Sequence, residues 1–147
     1  MSLSLLELAR TDYRTSRAAD DTNSRFQTLL GLPHRYGPAR LALGRSLGVA
    51  SMPQLDLTIY GHGKPIKGEN LFGHGIELAA WVSLIVEHAG QDDLDRREFQ
   101  QLVGAHWQRG LTLLWDDWKT AGNDFERFVA RLARHSQRAR KTTAESV

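Results

Sequence analysis

The sequence contains no cysteine in its 147 residues. That excludes a disulfide framework, a thiolate zinc site and thiol catalysis, and it is the usage expected in a reducing compartment. Long apolar runs are missing too. The longest, Leu78 to Val86, is interrupted by Ser83, well short of the roughly 18–20 residues that a membrane span needs. The opening residues MSLSLLELARTD lack a basic leader and a long apolar stretch, so they do not read as a secretory signal, and the expected location is the cytoplasm. No internal repeat or low-complexity segment is present. Core-forming residues are not scarce: 41% are hydrophobic and 24% charged, the balance of a globular chain rather than a disordered one. A chain of this length makes one domain, or a domain with a tail, and buries about 68–70% of its unfolded surface.

Net charge is only +2, but it is unevenly spread. Residues 1–60 carry seven Lys/Arg against five Asp/Glu, residues 61–118 five against nine, and residues 119–147 seven against three. A basic end beside an acidic middle suits an anionic partner such as nucleic acid; a solvated tail is the plainer account.

Helix signals dominate. Residues 1–12 form an arm in which Ser2 to Ala9 reads as a short apolar helix, suited to docking a partner. Ser16 to Leu30 reads as a helix capped by Thr15 or Ser16 and closed by Gly31, with Pro33 beyond. Pro38 opens the next helix, which runs to Leu47 and stops at Gly48. Leu71 to His88 is apolar nearly all round and is expected to be the central, most buried helix. Asp95 to Trp118 is a long helix with Phe99, Leu102, Val103, His106, Gly110, Leu111 and Leu114 on one stripe. Gly122-Asn123 breaks it, and Asp124 caps a last helix to about Lys141. Between residues 55 and 68 the period changes to two: Leu55, Leu57 and Ile59 alternate with Asp56, Thr58 and Tyr60, then Gly61-His62-Gly63 turns the chain, which predicts a β-hairpin. The expected fold is mainly α: a compact helical bundle with one small β-hairpin, plus a C-terminal basic amphipathic helix. Residues 13–118 form the helical domain, and 119–147 the basic helix with its tail.

Catalytic patterns are weak. Gly61-His62-Gly63-Lys64 lacks the spacer and the Ser/Thr of a phosphate loop, and it precedes a strand. His74 with Glu77, and Glu87 with His88, lack the further ligands that a metal site requires. There is no Gly-x-Ser-x-Gly elbow. Tyr13, Tyr36 and Tyr60 each stand near basic residues, which leaves a DNA-nicking tyrosine open, although packing is the commoner role.

The last helix carries more physical content. Arg127, Arg131, Arg134, Arg138 and Lys141 are spaced by four, three, four and three. They fall within an arc of ~80° at ~100° per residue, along about 21 Å at ~1.5 Å per residue. Phe125, Phe128, Val129 and Leu132 occupy the other side. With Glu126 as the one local acid, salt-bridge decoration accounts poorly for the row, and a DNA backbone fits it. Arg35, Arg40 and Arg45 make a second basic group, and Arg14, Arg17 and Arg25 a third. Arg40 and Arg45 stand ~140° apart, so one of them is free to pair an internal carboxylate.

The order of segments from Tyr13 to Trp118 resembles the DndE family of bacterial DNA sulfur-modification proteins. The residues carrying the resemblance are Thr15-Ser16 opening a helix that ends in Leu29-Leu30-Gly31-Leu32; the block Gly37-Pro38-Ala39-Arg40-Leu41-Ala42-Leu43-Gly44-Arg45-Ser46; Gly63-Lys64-Pro65-Ile66 through Asn70-Leu71-Phe72-Gly73; and Ala105-His106-Trp107 with Arg109-Gly110-Leu111. The chain departs from the family in the basic helix after Gly122 and in His34-Arg35-Tyr36-Gly37 leading into the Pro38 helix. The resemblance implies a small helical protein without catalytic residues or cofactor, a homotetramer that binds duplex DNA, with a preference for nicked DNA, through lysine- and arginine-rich surfaces. It implies action beside a sulfotransfer enzyme and an ATPase that place a non-bridging sulfur on the DNA backbone. On that reading the DNA contacts are Arg127, Arg131, Arg134, Arg138, Lys141, Arg35, Arg40, Arg45, Arg14 and Arg17. The alternatives are a DNA-nicking enzyme in the same pathway and a helical protein-interaction module. Leftover aromatic surface from Trp107, Trp115 and Trp118, which cannot share one inner stripe, also suits self-association.

Overall fold

The computed structural model describes the backbone of residues 3–145 and the side chains from Leu3 to Ser136. Its described residues form α1 (Leu5–Arg10), β1 (Asp12–Tyr13), α2 (Arg17–Leu29), α3 (Tyr36–Leu47), β2 (Ile66–Lys67), α4 (Gly68–Leu71), α5 (Ile76–Ala89), α6 (Arg96–Thr120) and α7 (Phe125–Glu145). The protein is mainly α, with two short antiparallel strands.

The boundaries follow the capping chemistry. Ser16 Oγ accepts from the Ala19 amide at 3.1 Å, and Asp95 and Glu98 form a reciprocal capping box at the head of α6. Asp124 Oδ1 accepts from the Arg127 amide at 2.9 Å, satisfying a donor that the helix itself leaves orphaned. Between α6 and α7, Gly122 and Asn123 both take left-handed backbone angles, so the chain turns back at once and α7 packs on the end of α6.

Four sequence expectations are corrected. The strand pair is not a local hairpin over 55–68: Asp12 and Tyr13 pair with Lys67 and Ile66. The alternating stretch fails because its apolar positions find no cover. Leu57 is 67% and Ile59 40% exposed, while Asp56 turns the chain by accepting from the Thr58 amide and hydroxyl. The central helix is α6, not the segment after Leu71, where α5 buries only Leu78, Val82 and Ile85. The N-terminal segment is no free arm, because Leu8 is fully buried in the common core. The tryptophans of α6 leave little aromatic surface over: Trp107 and Trp118 are buried and Trp115 is partly buried against the same core.

The core explains this order. Phe99, Leu102, Val103, Trp107, Leu111, Leu114 and Trp118 of α6 share one hydrophobic cluster with Leu8, Phe26, Leu43 and Phe128. α3 packs more extensively on α6 than any other helix does. Gly110 permits it, since a Cβ there would run into the Ala42 carbonyl oxygen. Asn23 ties α2 to the same helix: its Oδ1 accepts from Trp107 Nε1 at 3.1 Å, and its Nδ2 donates to the Arg35 carbonyl. Both halves of a buried amide are thus satisfied.

Candidate nucleic-acid interface

α7 is held to the body on two sides. Phe128, 2% exposed, stacks on Phe26 at 6.1 Å and meets Trp118 edge-on at 5.3 Å. On the adjoining side stands Asp117 of α6, 1% exposed. Its Oδ1 accepts from Arg131 Nε at 2.7 Å and lies 3.0 Å from His135 Nε2, and its Oδ2 accepts from Arg45 Nε at 2.9 Å. Burial pushes the Asp117 carboxyl up, but hydrogen bonds from Arg45 and Arg131, the Arg45 charge and the His135 contact outweigh it, and the net shift is below the ordinary value. One carboxylate therefore joins α3, α6 and α7. The expectation that the basic row lacks an acidic partner is corrected at Arg131: the partner comes from another helix, invisible to a reading of α7 alone.

The rest of the row faces out. Arg127 and Arg134 are exposed, and neither makes an ion pair among the described residues. With Arg131, Thr120, Ala121 and Ala130 they line a surface hollow of about 300 Å³. No acidic residue lines the hollow, and of its three guanidiniums only Arg131 is paired with a carboxylate among the described residues, so the hollow is positively charged. The side chains of Arg138 and Lys141 lie outside the described residues.

Most of the other arginines proposed from sequence hold the fold together. Arg45 is committed to Asp117. Arg40 donates to the Leu71 and Asn70 carbonyls and lies over the Tyr36 ring at 4.3 Å. Arg35 pairs with Asp20 at 2.8 Å and donates to the Pro65 and Lys64 carbonyls. Arg14 donates to the Gly63 carbonyl. Arg17 is exposed and is in no ion pair among the described residues. Arg25 sits over Trp115, 5.8 Å from the ring centre.

A polar cluster that sequence reasoning missed joins α3 to α6. Arg109 Nε donates to Ser46 Oγ at 2.8 Å, and the same hydroxyl is hydrogen-bonded to His106 Nδ1, also at 2.8 Å. Arg109 further donates to the Ser46 and Ser51 carbonyls. Ser46 and His106 are both 0% exposed. Burial first, then the charges of His88 and Arg109, push His106 down to about 3. No substrate reaches this serine, so the trio is a packing device and not a nucleophile with its base. Tyr13 gives no better nucleophile: it is 0% exposed with its hydroxyl donating to the Leu8 carbonyl, and burial raises it. Tyr60, whose ring packs against Gly104, and Tyr36, whose ring stacks on His34, are half-buried. Among the described residues no three His, Asp or Glu side chains converge to hold a metal ion.

Fold and surface together define a small helical protein with an arginine-walled hollow on its last helix. No protein-family model, curated protein or solved structure matches the chain. Among the described residues no helix is long and apolar enough to cross a membrane.

Proposed function

We propose that this chain is a DNA-binding accessory subunit of a bacterial DNA phosphorothioate modification complex, acting in the cytoplasm on duplex DNA. The observation that carries the reading is the hollow at α7, where Arg127, Arg131 and Arg134 line one space together. Guanidinium forks are donors that phosphate oxygens take. The protein meets the DNA backbone, so binding is largely independent of sequence and steep in salt. Chemistry is left to other subunits, in keeping with a buried Ser46–His106 pair and a buried Tyr13 hydroxyl.

The test uses Arg127→Gln with Arg134→Gln and spares Arg131, which Asp117 needs. Affinity for every duplex should fall to a similar degree, and the log–log salt slope should shrink by ~0.9 for each phosphate no longer neutralised. An unchanged affinity and slope, with normal helicity, removes DNA from this helix.

A protein-docking role has its own observation. Phe125 and Val129, one turn apart on α7, are 59% and 46% exposed. They give the same helix an apolar strip for a second copy, as in a homotetramer, or for the sulfotransfer or ATPase subunit. Light scattering that shows a monomer at micromolar concentration, with no complex formed with those subunits, removes this part of the reading.

A further inference from the structure

We propose that the turn Gly61–Lys64, fixed against the first turn of α2, is a second docking point for the same polyanion, with Arg17 and Lys64 as its phosphate-facing side chains; this rests on the DNA-binding reading above. The turn is held by its backbone. The Gly63 amide donates to the Thr15 carbonyl at 2.9 Å, and the Lys64 amide to Asp20 Oδ2 at 3.2 Å. Arg14 donates to the Gly63 carbonyl at 3.2 Å, and Arg35 to the Lys64 carbonyl at 3.2 Å. Gly63 is seated so closely that a Cβ there would lie 3.0 Å from the Thr15 and Ser16 carbonyl oxygens.

These bonds decide the chemistry. Both amides of Gly63-Lys64 are committed inward, so the turn offers no nest of N–H groups to a nucleotide phosphate. Of the two acids in the first turns of α2, Asp20 is already paired with Arg35 at 2.8 Å, and Asp21, four residues after Arg17, is exposed and in no ion pair among the described residues. What remains towards water is Arg17, His62 and Lys64, all exposed, and neither Arg17 nor Lys64 is in an ion pair among the described residues. A fixed turn presenting uncompensated positive charge suits a phosphate backbone, since little backbone order is left to be lost on binding.

At the other end of α2, Phe26 stacks on Phe128 of α7, so the helix that carries Arg17 also packs against the basic helix.

Anisotropy titrations of a labelled duplex two helical turns long, over a salt series, test this. Arg17→Gln with Lys64→Gln removes two exposed side chains that make no hydrogen bond or ion pair among the described residues, so thermal stability should hold. Binding should weaken and the log–log slope should shrink by ~1.8 for two phosphates no longer neutralised. That loss should add to the loss from Arg127→Gln with Arg134→Gln. If the wild type binds no duplex, the function reading falls and this inference with it. If the wild type binds and the α7 variant weakens binding, while Arg17→Gln with Lys64→Gln changes neither affinity nor slope, this inference alone is overturned. A weaker affinity at unchanged slope overturns it as well, because the residues then act without touching phosphate.

Discussion

Replacing Asp117 by Asn tests the junction on which the basic helix depends. The amide keeps the volume of the side chain and removes the charge that faces Arg45, Arg131 and His135. Stranding a fully buried charge costs about 3–5 kcal/mol. The partners here differ in their access to water: the Arg45 side chain is 12% exposed, Arg131 32% and His135 22%. Arg131 and His135 rehydrate when released, whereas Arg45 stays confined, so the expected loss is about 2–3 kcal/mol. In a chain of this size that lowers Tm by about 4–12 °C. Thermal melts by circular dichroism and urea titrations read it. A cycle with Arg45→Met should show coupling of the order of 1 kcal/mol or more. The pH dependence has a fixed sign. The Asp117 carboxyl sits below its ordinary value, so its stabilisation is present above the unfolded pKa of about 3.9 and is lost as pH falls through the lower folded value. The gap between wild type and variant should therefore close in strong acid. A variant within about 0.5 kcal/mol of wild type at neutral pH refutes the junction.

Three further outcomes are expected. His106, held at about 3 rather than 6.5, binds a proton more readily in the unfolded chain, so stability should fall as pH drops from about 6.5 towards 3, by an upper bound of about 4–5 kcal/mol. His106→Gln should flatten that part of a stability–pH curve. Gly110→Ala forces a methyl into the Ala42 carbonyl and should cost about 1–3 kcal/mol or more in a urea titration. Arg127→Gln with Arg134→Gln, by contrast, should leave stability within about ±0.5 kcal/mol, because both side chains are exposed; a larger loss means they hold the fold.

The helices were legible because their signals are local. Ser16, Asp95 with Glu98, and Asp124 each cap the helix that begins next to them. The strand pair was not, since Tyr13 and Ile66 are far apart in the chain and each strand is two residues long, too short to show a period. Leu57 and Ile59 alternate as a half-buried strand would, yet both stay largely exposed. The α7 row was legible as a row, but the direction of each arginine was not. Arg131 differs from Arg127 and Arg134 only because Asp117 stands opposite it. A signal for that acid did exist: Asp117 lies three residues after Leu114 on the inward stripe of α6, where a charge needs a partner. His106 lay on the same stripe, and a buried hydrogen-bonded histidine was the plainer expectation for it.

The stretch from Gly48 to Gly75 has little regular structure, and arginine forks tether it to the helices. Arg109 reaches Ser51, Arg14 reaches Gly63, Arg35 reaches Lys64 and Pro65, and Arg40 reaches Asn70 and Leu71. A lysine, with one compact head group in place of a planar fork, does not span two carbonyls in this way. Divergence should therefore treat the cations of this chain as two populations. At Arg35, Arg40 and Arg109 an exchange for lysine loosens a long loop, whereas at Arg17, Arg127 and Arg134 the same exchange keeps the charge and leaves the architecture untouched.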